Sequence, residues 1–125
     1  MLNISGVTSF EAPQLGTIEE IARFDSDWLS SLTIPALEKS GDLIIKGYPD
    51  SRKDPTLTNI SLPSLNNCND LIITNVRRLE NISFPRLKAI KGNLSMTNNA
   101  MLAVIDFDDL TTVDDDVKIR GLMSG

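Results

Sequence analysis

A nine-residue pattern recurs along the chain and constrains the fold more than any other feature. Apolar residues occupy its first, fourth, sixth and ninth positions, and proline usually stands seventh. The copies span residues 7–15, 29–37, 57–65, 79–87 and 102–110. Repetition at such a period predicts a solenoid, because a single repeat of this size buries its apolar side chains only by stacking on its neighbours.

One step between the copies is longer than the others. The copies begin 22, 28, 22 and 23 residues apart, and the long step coincides with a polar insertion at 47–55. Removing about six residues there restores the period, so we expect the insertion to bulge from one coil. Long insertions in repeat proteins often carry binding contacts. We therefore expect this loop to face a partner, through Tyr48, Asp50, Arg52 and Lys53.

Each copy is followed by a second apolar pair, six or seven residues after its last leucine. Both halves alternate apolar and polar residues with period two, which is typical of β-strands. We predict two short strands per coil and an all-β, right-handed parallel β-solenoid of about five coils. The later pairs are Leu43/Ile45, Leu71/Ile73, Leu94/Met96 and Val117/Ile119, and a degenerate pair is expected within Ile21-Ala22-Arg23.

Two inward columns follow from this register. We expect Ile34, Leu62, Phe84 and Phe107 to stack in the first column, and Leu43, Leu71, Leu94 and Val117 in the second. A short helix within 16–28 is one alternative for the first coil. A leucine-rich-repeat horseshoe is the alternative for the whole chain, but it would need helical or irregular segments where this sequence predicts a second strand.

Composition argues against most catalytic chemistry. The chain has no histidine, a single cysteine (Cys68), a net charge of −5 and no clustered basic residues, so we expect no nucleic-acid partner, cofactor or metal. Cys68 is expected to be a small buried residue. Two weaker alternatives are a calcium site in the acidic residues of 106–116 and a carboxylate pair for glycoside hydrolysis. No apolar run is long enough for a membrane-spanning helix.

Four asparagines begin N-x-S sequons, the acceptor sequence for N-linked glycans. They are Asn3, Asn59, Asn81 and Asn93. In three of them the middle residue is a predicted inward strand position, so the asparagine and the serine should both point outward. Outward polar strand residues also produce such sequons without any glycan, and that interpretation stays open.

The repeated phrases resemble a known family. Leu57-Thr-Asn-Ile-Ser-Leu-Pro-Ser-Leu65, Ser40-Gly-Asp-Leu-Ile-Ile45 and Lys91-Gly-Asn-Leu-Ser-Met-Thr-Asn-Asn99 are similar to the receptor L-domain-like repeats of fungal cell-wall organisation and sporulation-specific glycoproteins. The resemblance implies a secreted, N-glycosylated and GPI-anchored protein of the cell wall or plasma-membrane surface, without catalytic residues. The 125 residues do not include the signal peptide, the cysteine-bearing ends or the serine-rich tail of that family, so we expect them to be a fragment of a longer protein.

These observations lead to one functional expectation and two alternatives. We expect residues 1–125 to form a single L-domain-like solenoid, a piece of a longer protein that acts as a structural or interaction module in fungal cell-wall organisation. Its partners would be wall polysaccharides or surface proteins, and end-to-end self-association is a further option. The alternatives are a receptor-like ligand-binding ectodomain and, less favoured, a carbohydrate-active β-helix enzyme.

Overall fold

A computed structural model describes residues 2–4, 9–11, 14–25, 31–47, 57–99 and 101–120, and every regular element in these ranges is a β-strand. The strands form three parallel sheets. Sheet A contains β1 (Leu2–Ile4), β4 (Ala22–Asp25), β7 (Leu43–Lys46), β10 (Leu71–Thr74), β13 (Leu94–Thr97) and β16 (Val117–Arg120). Sheet B contains β2 (Ser9–Glu11), β5 (Ser31–Thr33), β8 (Asn59–Ser61), β11 (Asn81–Ser83) and β14 (Val104–Asp106). Sheet C contains β3 (Thr17–Ile18), β6 (Lys39–Ser40), β9 (Asn67–Cys68), β12 (Ala89–Ile90) and β15 (Thr112–Val113).

The chain visits sheets B, C and A in that order and then starts the next coil. It makes about four turns between β2 and β14, and each strand lies beside its counterpart in the next coil. The register matches the sequence repeat, with Ile82 paired to Ile60 on one side and to Ile105 on the other. The predicted parallel β-solenoid is confirmed. The later apolar pairs form the strands of sheet A, where a horseshoe would need helical or irregular segments, so the horseshoe alternative is wrong for the described residues.

Each coil has three strands, so the prediction of two was wrong. The third strand lies in sheet C and is two residues long in every coil. Two residues are too few to display an alternation of period two, and the inward residue varies among Ile18, Ser40, Cys68, Ile90 and Val113. The sequence signal for sheet C was therefore absent, although the backbone still pairs from coil to coil.

The first coil excludes its helical alternative over the described residues and corrects the position of its inward pair. The described part of 16–28 forms β3 and β4 and contains no helix. The inward residues of β4 are Ala22 and Phe24, both fully buried, and Arg23 points outward. Three residues join β3 to β4, as they join β12 to β13, whereas two join β6 to β7. The inward pair therefore begins seven residues after Leu15, at Ala22, and the predicted pair was one residue out; such a slip exchanges the faces of a strand.

The core consists of aliphatic columns that run along the solenoid. The first predicted column is confirmed: Ile34, Leu62 and Phe84 are buried, and Phe107 packs against the core with its ring centroid 5.6 Å from that of Phe84. In the second column Leu43, Leu71 and Leu94 are buried, but Val117 is 57% exposed. Val117 has the predicted register beside Leu94. It is exposed because, among the described residues, β16 has a neighbouring strand on one side only.

The insertion does not disturb the register of the sheets. Six residues, 75–80, join β10 to β11, whereas twelve, 47–58, join β7 to β8. Leu43 still pairs with Leu71, and Leu32 still pairs with Ile60. The six added residues therefore fall, in the sequence, between β7 and β8 and shift the register of neither strand, as the period predicted. Residues 48–56 themselves lie outside the described residues.

Candidate functional site

Two sequons lie side by side on the outer face of sheet B. Asn59 begins β8 and Asn81 begins β11, and the two residues pair directly in the sheet. The middle residues Ile60 and Ile82 are buried, so strand alternation directs the asparagines outward. Asn59 is exposed and Asn81 is half-buried. The Asn81 amide nitrogen donates a hydrogen bond to the Asn59 side-chain oxygen at 2.6 Å.

The third sequon belongs to a row of side chains at the corner before sheet A. This corner row consists of Asp42, Asp70, Asn93 and Asp116, each directly before the first residue of a sheet A strand. A side-chain oxygen of each of the first three members accepts a hydrogen bond from the backbone N–H of the next member, at 3.2, 2.8 and 3.0 Å. A β-carbon at Gly92 would collide with the Asp70 carboxylate, which explains a glycine there.

The corner row was missed at the sequence level, although a signal for it exists. An aspartate or asparagine precedes every apolar pair of the last four coils. Short polar side chains that accept hydrogen bonds from nearby backbone N–H groups are common at turns. The row ties each coil to the next through a side chain as well as through the sheets. Asn93 therefore has a structural role as well as being a sequon asparagine.

A shallow groove of about 290 Å³ lies on the outer face of sheet A beside this corner. Ile72, Ser95 and Lys118 are register neighbours on three successive strands and form its floor. Asn93 and Asp116 line its edge. The groove thus combines an amide, a hydroxyl, a carboxylate and an ammonium group around one aliphatic side chain. Such a set can hydrogen-bond a ligand rich in hydroxyl groups, but it offers no aromatic ring for a sugar face.

The remaining predicted site residues lie wholly or partly outside the described residues. Asn3 lies in β1 at the edge of sheet A, paired with Arg23, and its side chain lies outside the description. The predicted partner loop also lies outside the described residues, with all four of its named members, Tyr48, Asp50, Arg52 and Lys53. Glycosylation and partner binding at these positions stay predictions.

Cys68 is buried in sheet C, as predicted. It is 1% exposed, and its pKa is raised to about 12, chiefly by loss of hydration and further by the negative charges of Asp70 and Asp42. The thiolate, which is the nucleophilic form, is therefore scarce at neutral pH. Cys68 contributes packing volume to the interior and has no chemical features of a catalytic thiol.

The acidic residues of the last coil do not converge on a point. The Asp106 carboxylate accepts hydrogen bonds from the Ser83 hydroxyl at 3.3 Å and from the Asp108 backbone N–H at 3.2 Å. A hydrogen bond with Asp106, and then its negative charge, raises the pKa of Asp108. Within the described ranges, no three residues of the types His, Cys, Asp and Glu are placed to hold a metal ion.

The chain is similar to a curated protein of Arthroderma benhamiae described as a cell surface GPI-anchored protein. The two are 31% identical over 112 residues, which is 85% of this chain and 27% of the relative. The chain thus spans about a quarter of that relative's length. No family model and no solved structure matches the chain. Among the described residues, no helix is long and apolar enough to cross a membrane.

Proposed function

We propose that this chain is a non-enzymatic structural or interaction module of a fungal cell-surface or cell-wall protein, built from receptor L-domain-like repeats. The similarity to a fungal cell surface GPI-anchored protein is the observation that carries the proposal. The outer faces of the sheets support it, since they present asparagine, serine and threonine side chains on regular layers. The module would work by presenting these faces, with N-linked glycans on its sequons, to wall polysaccharides or neighbouring proteins.

The location is tested on intact cells of the source organism. Antibodies raised against this chain should stain intact cells, and the antigen should be recovered with the wall or plasma-membrane fraction. A cytosolic marker stained in parallel shows whether the cells are closed. Staining that appears only after permeabilisation, together with the marker, contradicts a surface location. Deleting the gene should increase the sensitivity of growth to dyes that bind wall polysaccharides.

The enzyme alternative requires its own measurement. Purified protein incubated with wall glucan should release no more reducing sugar than a heat-denatured sample does. Sustained release above that background would identify a hydrolase and remove the present proposal. The geometry supports the negative expectation for three described carboxylates, because Asp42, Asp70 and Asp106 each accept a backbone hydrogen bond.

A receptor-like ectodomain is the second candidate, and the sheet A groove is the observation that favours it. Binding of wall oligosaccharides can be screened on an array with the purified chain. If the groove binds them, Lys118→Ala should reduce the signal at least tenfold, whereas Lys88→Ala, another exposed lysine outside the groove, should leave it unchanged. Equal signals for both variants would show that the groove is not the binding site.

A further inference from the structure

Two sequons occupy neighbouring positions on one sheet, at the closest spacing that a solenoid allows. Asn59 pairs with Asn81, and Ser61 pairs with Ser83, so the whole acceptor tripeptide is repeated one layer further along sheet B. Adjacent strands lie about 4.8 Å apart. The two asparagine side chains point to the same side of the sheet and touch, with 2.6 Å between nitrogen and oxygen. Two acceptor nitrogens therefore share one patch of surface.

We propose that the sequons at Asn59 and Asn81 form a single glycosylation site, in which a folded molecule carries an N-linked glycan on one asparagine only. The inference rests on the proposed function, since it requires passage through the secretory pathway. It goes further by predicting how many glycans this face holds. Asn93 lies before a sheet A strand, on another face, and is independent of the pair.

The chemistry of the modification is the same at both positions. A lipid-linked diphosphate oligosaccharide is the donor. The amide nitrogen forms a bond to C1 of the first sugar and gives up one proton, while the bond from C1 to the diphosphate oxygen breaks. The lipid diphosphate leaves with that electron pair. The product is a bulky branched substituent on the asparagine nitrogen.

Two such substituents do not fit over paired positions of neighbouring strands. A branched glycan core is wider than the strand spacing of about 4.8 Å, so two cores on Asn59 and Asn81 would overlap. Splaying them apart would require both asparagines to leave their hydrogen-bonded arrangement and the strands to separate. Buried Ile60 and Ile82 hold the strands in register from the inside. A chain with glycans on both residues should therefore fail to complete sheet B and should be retained in the cell.

The geometry also explains why either residue can accept the glycan. Asn59 is exposed, and its amide nitrogen makes only a long hydrogen bond of 3.4 Å, to the Thr58 hydroxyl. Asn81 is half-buried because its amide lies against Asn59. Replacing Asn59 removes the competing acceptor without altering the inward residues. The two positions are therefore alternatives, and neither depends on the other.

The test counts glycans on the secreted chain. The 125-residue chain is expressed behind a secretion leader in a yeast host and treated with an endoglycosidase that leaves one sugar on each occupied asparagine. Intact mass then gives the number of occupied sites per molecule. Tryptic cleavage after Arg77 and Arg78 separates the two sequons, so peptide mass spectra assign them.

The wild type, Asn59→Gln and Asn81→Gln should all carry one glycan on the pair, and the double variant should carry none. Ser61→Ala and Ser83→Ala remove one sequon each but keep both asparagines, and should match the Asn→Gln variants. Asn93→Gln should not change the count on the pair. Secreted wild-type molecules with both positions occupied would overturn the proposal, as would single variants that carry no glycan on the pair. Because the leader supplies the secretory route, these outcomes are independent of where the native protein resides.

Discussion

The middle coils and the last coil carry the same repeat, yet they bury it to very different extents. Leu71 and Ile73 in β10 are completely buried, whereas their counterparts in β16, Val117 and Ile119, are 57% and 40% exposed. Both strands have the same register and the same inward orientation. Burial in a solenoid therefore depends on the layers on both sides of a strand and is not encoded by the repeat alone.

The largest expected effect comes from a charge placed inside a middle coil. Ile60→Asp should unfold the chain, because an unpaired carboxylate would replace a side chain that is 1% exposed. Ile105→Asp, at the equivalent position of the last coil, should cost about 1 kcal/mol of unfolding free energy, since the site is partly hydrated. Circular dichroism at 25 °C and urea melts measure both. Similar losses for the two variants would mean that the last coil is as closed as the middle ones.

Truncation of an inward side chain should also destabilise a middle coil more than the last coil. Leu71→Ala should reduce the free energy of unfolding by about 2–5 kcal/mol, which is typical of a cavity in a closed core. Val117→Ala, two layers further along the same column, should cost about 0.5 kcal/mol or less. Urea unfolding monitored by circular dichroism gives both values. A loss of more than about 2 kcal/mol at Val117 would contradict its exposure.

A buried polar residue joins the fourth coil to the third. Asn99 is fully buried, accepts a hydrogen bond from the Val76 backbone N–H at 3.0 Å and donates one to the Ile73 carbonyl at 2.9 Å. Asn99→Ala should cost about 1–3 kcal/mol, because it leaves buried backbone groups without their partner. Asn69→Ala in an exposed turn is the matched control and should stay within about 0.5 kcal/mol. Equal thermal melts for the two variants would refute this role.

The exclusion of water from the middle coils also predicts that the stability of the fold depends on pH. The folded-state pKa of Cys68 is raised to about 12, whereas a free cysteine titrates near 8.5. The folded state favours the protonated thiol. The contribution of Cys68 to the free energy of unfolding is therefore complete below about pH 8.5 and is lost as the pH rises toward 12. Between pH 8.5 and 9.5 the wild type should therefore lose stability faster than Cys68→Ala, by at most about 1.4 kcal/mol per pH unit. Equal slopes of unfolding free energy against pH for the wild type and Cys68→Ala would show that the thiol is hydrated in the folded state.

The smallest expected effect concerns the insertion. Deleting residues 49–54 leaves a six-residue connection between β7 and β8, as in the next coil. Closing a 28-residue instead of a 22-residue loop differs by only about 0.2 kcal/mol. The deletion should therefore leave the melting curve nearly unchanged, and so should six Gly/Ser residues inserted between Arg77 and Arg78. A large loss of thermal stability from the deletion, but not from the insertion, would show that residues 49–54 pack against the coil.

The sequence predicted those parts of the fold that repeat with a clear period. Ile60 and Ile82 alternate with polar neighbours, so their strands, register and outward sequons could be assigned. The strands of sheet C could not be assigned, because strands of two residues show no alternation. The position of Phe24 was not predicted, because the turn before a sheet A strand has two residues in some coils and three in others, and Ile21 and Ala22 are both apolar. The exposure of Val117 depends on its neighbours in space, which a linear pattern does not report.

The candidate site was predicted in part. Outward orientation of the described sequon asparagines follows from the alternation, but the contact between Asn59 and Asn81 needed the register of two strands 22 residues apart. The corner row has a sequence signal, an aspartate or asparagine before each apolar pair of the last four coils. The groove on sheet A joins Ile72, Ser95 and Lys118 from three coils, and no local motif marks such a set.

The direction of the backbone hydrogen bonds has a mechanical consequence. In all three sheets these bonds join one coil to the next, so they lie along the axis of the solenoid. Tension applied to the two chain ends would therefore load only the bonds of an outermost coil at any moment, and coils would peel away one after another. Each detached coil would lengthen the chain by its 22 or so residues before the next coil took the load. Under tension such a module would yield gradually, as an extensible tether rather than a rigid rod.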